Sequence, residues 1–246
     1  MTAFTSPASA GFDLGLFSSY RDFPLSGVAE VNFGYGQLLW GSEKNALYGF
    51  VRASGELDAV SNYFGATAKV EVFPVSILGL KAGQTWEQNH QDYKDYDCTQ
   101  NICRGFFSNQ YLEGQAFLGV SFLKLAASYR DSIHYADHYS NPNSVTDYVD
   151  PESGLLLTLA SGDHLIRVRE TALVQILSNY AVGYSESQFS SQIRAEKSRA
   201  WFSFAQGTWG DFKLAVGGGE YSSSTQKSHG MIVAFMQWSI LPKLGY

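Results

Sequence analysis

A two-residue alternation of apolar and polar side chains recurs along this chain of 246 residues. In the segment 64–73, FGATAKVEVF, the even positions are apolar, and the odd positions carry Gly, Thr, Lys and Glu until the final Phe73. Because successive side chains of a β-strand point to opposite faces, this pattern predicts a strand with one apolar and one polar face. The alternation returns about a dozen times, in segments separated by polar turns.

Twelve strands are predicted from these segments. Their ranges are 11–20, 27–40, 46–57, 63–73, 76–88, 105–121, 124–135, 153–161, 164–178, 191–207, 211–223 and 229–241. The connections alternate between tight turns, such as 41–45, 74–75 and 161–163, and long polar stretches at 89–104, 136–152 and 179–190. Short turns on one rim and long loops on the other are typical of the periplasmic and extracellular ends of a bacterial barrel. Both termini are therefore predicted on the periplasmic side.

The apolar parity of each predicted strand is assigned to lipid. It comprises Val31, Phe33, Tyr35, Ala66, Ala68, Val70, Val72, Leu78, Leu80, Ala82, Leu112, Ala116, Leu118, Val120, Leu155, Leu157, Leu159, Ile166, Val168, Ala172, Val174, Ile176, Leu214, Val216, Ile232, Ala234, Met236, Trp238 and Ile240. Glu170 interrupts this face, and a one-residue bulge would re-aim its side chain.

The opposite parity carries charges at mid-strand, which we assign to a lumen. They are Asp13, Glu30, Arg52, Glu56, Lys69, Glu71, Lys81, Glu87, Glu113, Arg130, Arg167, Arg169, Lys213 and Glu220. Seven acids and seven bases indicate either ion pairs that nearly fill the interior or solvated wall charges, whereas a ring of one sign would indicate an ion-selective pore. Arg167 and Arg169, beside Arg130, are the best candidates to hold an anionic group, with structural pairing to Glu113 as the alternative.

A closed barrel that is apolar outside and polar inside explains both faces, and in this the chain resembles bacterial outer-membrane β-barrels. The predicted fold class is all-β, a single antiparallel transmembrane barrel of about twelve strands over 1–246, with an N-terminal tail at 1–10. Trp and Tyr near strand ends suit interfacial belts: Tyr20, Tyr35, Trp40, Trp86, Tyr129, Tyr180, Trp209 and Trp238. The rival fold is a soluble lipocalin-like barrel or sandwich, which would reverse the two faces.

Composition narrows the function classes. Charged residues make up 16% of the chain, against about 25% in soluble domains. No stretch reaches the roughly 18 apolar residues of a membrane helix, and a mean hydropathy of -0.14 suits strands with one wet face. The net charge of -6 and the lack of a basic patch argue against nucleic acid. The first ten residues do not read as a signal peptide, so we expect that Met1 replaces a removed leader of an exported protein.

Cys98 and Cys103 are the only cysteines, and they lie in a polar segment with Asp92, Asp95 and Asp97. In an oxidising compartment this spacing predicts a small loop disulfide. A metal site is the alternative reading, but no second pair of ligands accompanies the two thiols. We predict no metal and no cofactor.

One short motif, HYSN at 138–141, carries candidate chemistry. It resembles the His-x-Ser-Asn motif of two outer-membrane barrel hydrolases, the lipid A 3-O-deacylase and the outer-membrane phospholipase A. The resemblance implies His138 as general base, Ser140 as nucleophile, and Glu152 or Asp150 as the group that orients the histidine. Strand parity argues against this role, because it turns His138 and Ser140 toward the lumen, whereas those enzymes attack lipid outside the barrel.

The favoured function is therefore non-enzymatic. The barrel would be either a narrow channel for small solutes or a charge-plugged barrel whose extracellular loops, 89–104 and 136–152, bind a surface polymer or a protein. Outer-membrane lipid would surround the wall, and no nucleic acid partner is expected. The alternative function is acyl-ester hydrolysis of lipid A or phospholipid.

Overall fold

Twelve antiparallel strands close into a barrel in the computed structural model of this chain. The structure describes residues 10–21, 26–42, 47–60, 63–90, 92, 97–99, 101–138, 147–150, 152–158, 163–224 and 227–241. The barrel strands are β1 (Ala10–Arg21), β2 (Ser26–Trp40), β3 (Gly49–Val60), β4 (Tyr63–Val75), β5 (Leu78–Asn89), β6 (Gly105–Val120), β7 (Leu123–His138), β10 (His164–Leu177), β11 (Tyr180–Ser191), β12 (Lys197–Trp209), β13 (Phe212–Ser223) and β14 (His229–Leu241). A two-stranded hairpin, β8 (Asp147–Val149) and β9 (Leu156–Thr158), lies between β7 and β10 in the chain.

Each barrel strand pairs with its neighbours in the chain, with β7 pairing to β10 across the hairpin. The first and last strands close the ring, as in the pair Leu16 and Trp238. Closure leaves no unpaired sheet edge, so the backbone polar groups of the wall are satisfied inside the sheet. The described part of the chain contains no helix long and apolar enough to cross a bilayer.

The two rims differ in the length of their connections as predicted, although 161–163, predicted as a tight turn, belongs to the long connection 139–163. One rim has two-residue turns at 76–77, 121–122, 178–179 and 210–211, and β1 begins and β14 ends at this rim. The other rim carries the long connections 90–104 and 139–163. This asymmetry is typical of outer-membrane barrels, whose short turns face the periplasm.

The count of twelve strands is confirmed, but two of the predicted assignments are wrong. The segment 179–190, predicted as a loop, is the wall strand β11. The segment 153–161, predicted as a wall strand, supplies the hairpin strand β9, which packs inside the barrel. Polar residues at outward positions, including Glu186 and Gln188, hide the alternation of β11 from a hydrophobicity pattern.

The apolar alternation of Leu155 and Leu157 has a different cause from the one predicted. Both side chains are fully buried in a cluster rather than exposed to lipid. The cluster joins the segment 147–158 to inward positions of the wall, and its members are Ile102, Phe107, Tyr148, Leu155, Leu157, Leu165 and Phe189. Leu159 lies outside the described residues.

The predicted apolar parity of the true wall strands faces outward. Side chains such as Leu112, Leu118 and Ile176 are about three-fifths exposed, at 59%, 62% and 60%. Charged side chains also lie on this outer face, and two of them, Glu170 and Glu220, differ from the sequence-based assignment. Pairing through Glu170 continues without a bulge on both sides, so the proposed re-aiming does not occur, and the side chain is exposed. Glu220, assigned to the lumen, shares the parity of Leu214 and Val216 in an uninterrupted strand and therefore takes an outward position.

Candidate functional site

A ladder of charged side chains crosses six adjacent strands at one level of the lumen. Each member lies directly opposite the next in the strand register. In order around the wall they are Arg52, Glu71, Lys81, Glu113, Arg130 and Arg167. Because each acid lies between two bases, the register of the sheet itself places opposite charges within pairing distance. We call this set the charge ladder.

Arg52 and Glu71 are the most completely buried members of the charge ladder, with no exposed surface. Arg52 Nε and Nη2 donate to the two carboxylate oxygens of Asp13 at 2.7 and 2.5 Å, and Arg52 Nη1 donates to Glu71 Oε2 at 2.8 Å. Lys81 Nζ lies 2.8 Å from Glu71 Oε1. The guanidinium lies against Gly34, where an added Cβ would come within 2.6 Å of Nη2. Bidentate pairing of this kind fixes both groups in place.

Glu113 is the centre of a second group of paired charges. Its Oε2 accepts from Arg130 Nε at 2.5 Å and from Arg167 Nη2 at 2.9 Å. The Arg130 guanidinium also lies 4.1 Å from the centre of the Tyr111 ring, a cation–π distance. The two arginines are therefore engaged in structural pairing with Glu113, which was the alternative to an anion-holding role.

Arg169 stands apart from this pairing, although it lies on the same face of β10. Its side chain is 45% exposed, and its Nε donates to Ser187 Oγ at 3.1 Å. Its Nη2 lies 3.4 Å from Glu152 Oε1. Among the three predicted anion-holding arginines it presents the most accessible guanidinium to the lumen.

The described residues of the segment 147–158 lie inside the barrel and are anchored to wall strands on both sides of β11. Ser198 Oγ and Tyr221 Oη both donate to the Ser153 carbonyl, at 2.8 and 3.0 Å. On the other side the Glu152 carboxylate forms an ion pair with Arg167. Burial raises the pKa of Glu152, but the positive charges of Arg167, Arg130 and Arg169 outweigh burial and hold the pKa below its usual value. Glu152 is thus held as a carboxylate.

Inside the barrel, a cavity of about 740 Å³ lies between two unlike walls. The charged wall includes Lys69, Lys81, Glu113, Arg130 and Arg169. The facing wall, formed mainly by β1, β12 and β14, carries Phe17, Phe202, Phe204 and Phe235. Their ring centres are 5.3 Å apart for Phe202 and Phe235, 5.8 Å for Phe202 and Phe204, and 6.4 Å for Phe17 and Phe235. We call these four side chains the phenylalanine wall.

The structure places the predicted lumen charges in two settings. Asp13, Arg52 and Glu71 are buried in the paired network. The following side chains line the cavity: Glu30, Glu56, Lys69, Lys81, Glu87, Glu113, Arg130, Arg167, Arg169 and Lys213. Glu220 is the exception described above.

Two contributors to the cavity were missed by reasoning from the sequence. Asp58 lies on the lumen parity of β3, two residues after Glu56, and the phenylalanine wall occupies the inward parity of its strands. Strand parity, which identified the lumen charges, also places these residues on the inner face. The expectation of a polar lumen gave no reason to predict apolar side chains there.

Comparison with known proteins gives the fold. No protein-family model and no curated protein sequence matches this chain. Among solved structures, the NanC porin has a TM-score of 0.50 at 10% identity, covering 92% of this chain and 98% of the porin. The KdgM porin has a TM-score of 0.49 at 12% identity, covering 93% of this chain and 99% of that one. The fold is that of an outer-membrane β-barrel. Identities this low carry no information about substrate.

The loop disulfide predicted from the spacing of the two cysteines is confirmed. Cys98 and Cys103 are bonded, with their Cα atoms 5.5 Å apart. Asp92 lies near both sulfurs, but its carboxylate accepts two hydrogen bonds from Arg104, at 2.8 and 2.5 Å. Because the disulfide uses both sulfurs, the metal alternative does not fit this cluster.

The candidate hydrolase motif, residues 138–141, lies at the edge of the described part of the chain. The backbone of His138 ends β7, while its side chain and the whole of Ser140 lie outside the described part. The two acids that were candidates to orient the histidine have other partners. Asp150 accepts from Ser153 N and Oγ at 2.7 and 2.6 Å, and Glu152 is paired with Arg167.

Proposed function

We propose that this protein is an outer-membrane channel that passes small solutes through a narrow, asymmetric lumen. The observation that carries the proposal is the cavity of about 740 Å³ inside a closed barrel, lined by charged and aromatic side chains. The apolar outer parity supports residence in a bilayer, because it leaves large apolar side chains exposed around the wall.

The lumen is narrow because much of it is occupied by side chains. Toward the short-turn rim, Leu38, Phe50 and Phe73 form a buried cluster, with the Phe50 and Phe73 rings stacked 4.4 Å apart. Above them lies the charge ladder, and the segment 147–158 enters from the long-loop rim. The remaining space lies against the phenylalanine wall, so the proposed path runs along one side of the barrel and suits small solutes.

Planar-bilayer recording of the purified full chain tests this proposal. We expect discrete, small single-channel conductances. Phe204→Ala, which removes a ring from the cavity wall, should raise the conductance. Phe33→Ala, which removes an outward ring that is 47% exposed, should leave it unchanged. Protein that is folded by its heat-modifiable migration but gives no conductance would overturn the channel.

A second candidate function is binding of a surface polymer or protein at the long-loop rim, and one observation favours it. The two long connections are joined by backbone hydrogen bonds, from Ile102 N to the Asp147 carbonyl at 2.8 Å and from Val149 N to the Ile102 carbonyl at 3.3 Å. With the disulfide, these bonds join the described parts of the two connections into one unit. Replacing residues 97–101 by a short Gly-Ser turn together with Cys103→Ser spares Ile102 and its contacts with the segment 147–158. This variant separates the two functions, because it should abolish partner capture from native membranes while conductance persists.

A further inference from the structure

We propose that the cavity binds a small organic monoanion with an apolar body, its carboxylate at Arg169 and its body against the phenylalanine wall. This inference deepens the proposed function, since it names the class of solute that the lumen recognises. It stands on three features: an accessible guanidinium, an apolar patch in a polar lumen, and the separation between them.

The arginine side of the site already holds a carboxylate. Glu152 of the in-folded segment pairs with Arg167, and its Oε1 lies 3.4 Å from Arg169 Nη2. Arg130 and Arg167 are committed to Glu113 at 2.5 and 2.9 Å, whereas Arg169 has one exposed face toward the cavity. Ser187 Oγ, which accepts from Arg169 Nε, fixes the direction of the guanidinium. A planar guanidinium presented in this way favours a carboxylate.

The phenylalanine wall supplies a surface for an apolar body. Four rings line the cavity, each with its centre within about 6.5 Å of the centre of Phe235 or of a ring next to it, and they are only partly buried. An apolar patch of this kind inside a wet lumen is costly unless something covers it, and convergent polar groups around such a patch mark a ligand site. Ala200 and Ala215 lie on neighbouring inward positions and leave room beside the rings.

The two sides are separated by the length of a small molecule. Arg169 lies opposite Ser187 of β11, and Ser187 lies opposite Ala200 of β12, two residues before Phe202. Strands lie about 4.8 Å apart and rise about 3.4 Å per residue, so two strand spacings and the two-residue offset separate the backbones that carry Arg169 and Phe202 by roughly 12 Å. A single ring joined to a carboxylate by two or three carbons spans this gap once the arginine side chain reaches inward.

The remaining wall charges restrict the ligand to one negative charge. The Glu113 carboxylate, paired with Arg130 and Arg167, lines the same cavity. A dianion would place its second charge near this carboxylate, and like charges at close range are unfavourable. A monoanion satisfies Arg169 and leaves the apolar body to the rings.

Isothermal titration of the purified full chain in detergent tests the site. The probe is 3-phenylpropionate, compared with propionate, which lacks the ring, and 3-phenylpropan-1-ol, which lacks the charge. We expect both truncated probes to bind about tenfold more weakly or worse. Heats from protein-free micelles and from the outer-wall variant Phe33→Ala correct for partitioning of the probes into detergent.

Two variants separate the two halves of the site. Arg169→Gln should weaken binding of 3-phenylpropionate about tenfold and leave the alcohol unchanged. Phe202→Ala should weaken both aromatic probes. Equal affinities for propionate and 3-phenylpropionate, or an unchanged affinity in Arg169→Gln, would overturn the proposal. Binding without conductance would overturn the channel but keep this site, whereas conductance without binding would remove the site alone.

Discussion

The two sides of the lumen are built from the same strand geometry but carry different kinds of inward side chain. From β3 through β7 and on to β10, inward positions carry the charge ladder, and its members pair with one another. On β11 to β14 the inward positions carry mostly uncharged side chains, including Ser, Ala, Gly, Phe, Gln, Met and Val, with Lys213 as a charged exception at the short-turn end. Paired charges fill space and fix the wall, while small and aromatic side chains leave a path beside it. We therefore propose that the first side is scaffold and that a solute, under the proposed function, would bind against the second.

Removing Arg52 should cause the largest loss of unfolding free energy on the side that carries the charge ladder. Arg52→Ala leaves Asp13 and Glu71 as buried carboxylates without their main partner, which costs about 3–5 kcal/mol of unfolding free energy. Guanidinium unfolding in micelles measures the change. Arg104→Ala is the matched control, because Arg104 also binds one carboxylate through two nitrogens, but both side chains are at least half exposed. It should cost less than about 1 kcal/mol. Equal losses in the two variants would contradict the scaffold role.

A methyl group at Gly34 should disturb the same network less severely. The added Cβ would meet Arg52 Nη2, Cζ and Nε at 2.6 to 2.7 Å, so the guanidinium must move and strain its bonds to Asp13. We expect Gly34→Ala to cost about 1–3 kcal/mol in the same unfolding measurement. Gly114→Ala, where a Cβ meets no atom within 4 Å, serves as the control and should be nearly neutral. A neutral Gly34→Ala would show that Arg52 has room to relax.

Neutralising Glu152 should change the ion selectivity of the cavity without lowering the stability of the charge ladder. Glu152→Gln removes the loop carboxylate from Arg167 and Arg169, so the cavity gains net positive charge. The reversal potential in a salt gradient should shift toward anions, with the permeability ratio changing a few-fold. Asp92→Asn removes the same charge from the exposed loop and should have no such effect. An unchanged reversal potential in Glu152→Gln would place these arginines outside the ion path.

The smallest expected effect is that of mild acid. Since the pKa of Glu152 is lower in the folded chain than its usual 4.5, its contribution to docking of the segment is complete above that pH. This contribution is lost only as the pH falls through the lowered pKa. Conductance relative to Glu152→Gln, which lacks this titration, should therefore stay constant between pH 7 and 5. A change within that range would mean that another group controls the docking.

The sequence predicted the strands of the barrel wall more completely than the shape of the lumen. Twelve strands, the apolar outer parity and the Cys98–Cys103 disulfide follow from local patterns and are present. The two wrong strand assignments, at 179–190 and 153–161, have the same cause, which is that hydrophobic alternation does not report what covers the apolar face. The alternation of β11 is obscured by outward polar residues such as Glu186, and that of Leu155 and Leu157 reflects burial inside the lumen. A period of two reports that one side of a strand is apolar, but not whether lipid or protein covers it.

By itself, the sequence determined which side chains share a face, because the two-residue period is a property of each strand alone. Tertiary structure decided which of those side chains meet. The pairing of Arg52 with Asp13, across 39 positions of the chain, depends on strand register and closure of the barrel. The same holds for the descent of residues 147–158 into the lumen and for the separation of Arg169 from the phenylalanine wall. These distances are set by contacts between remote segments, and no local pattern encodes them.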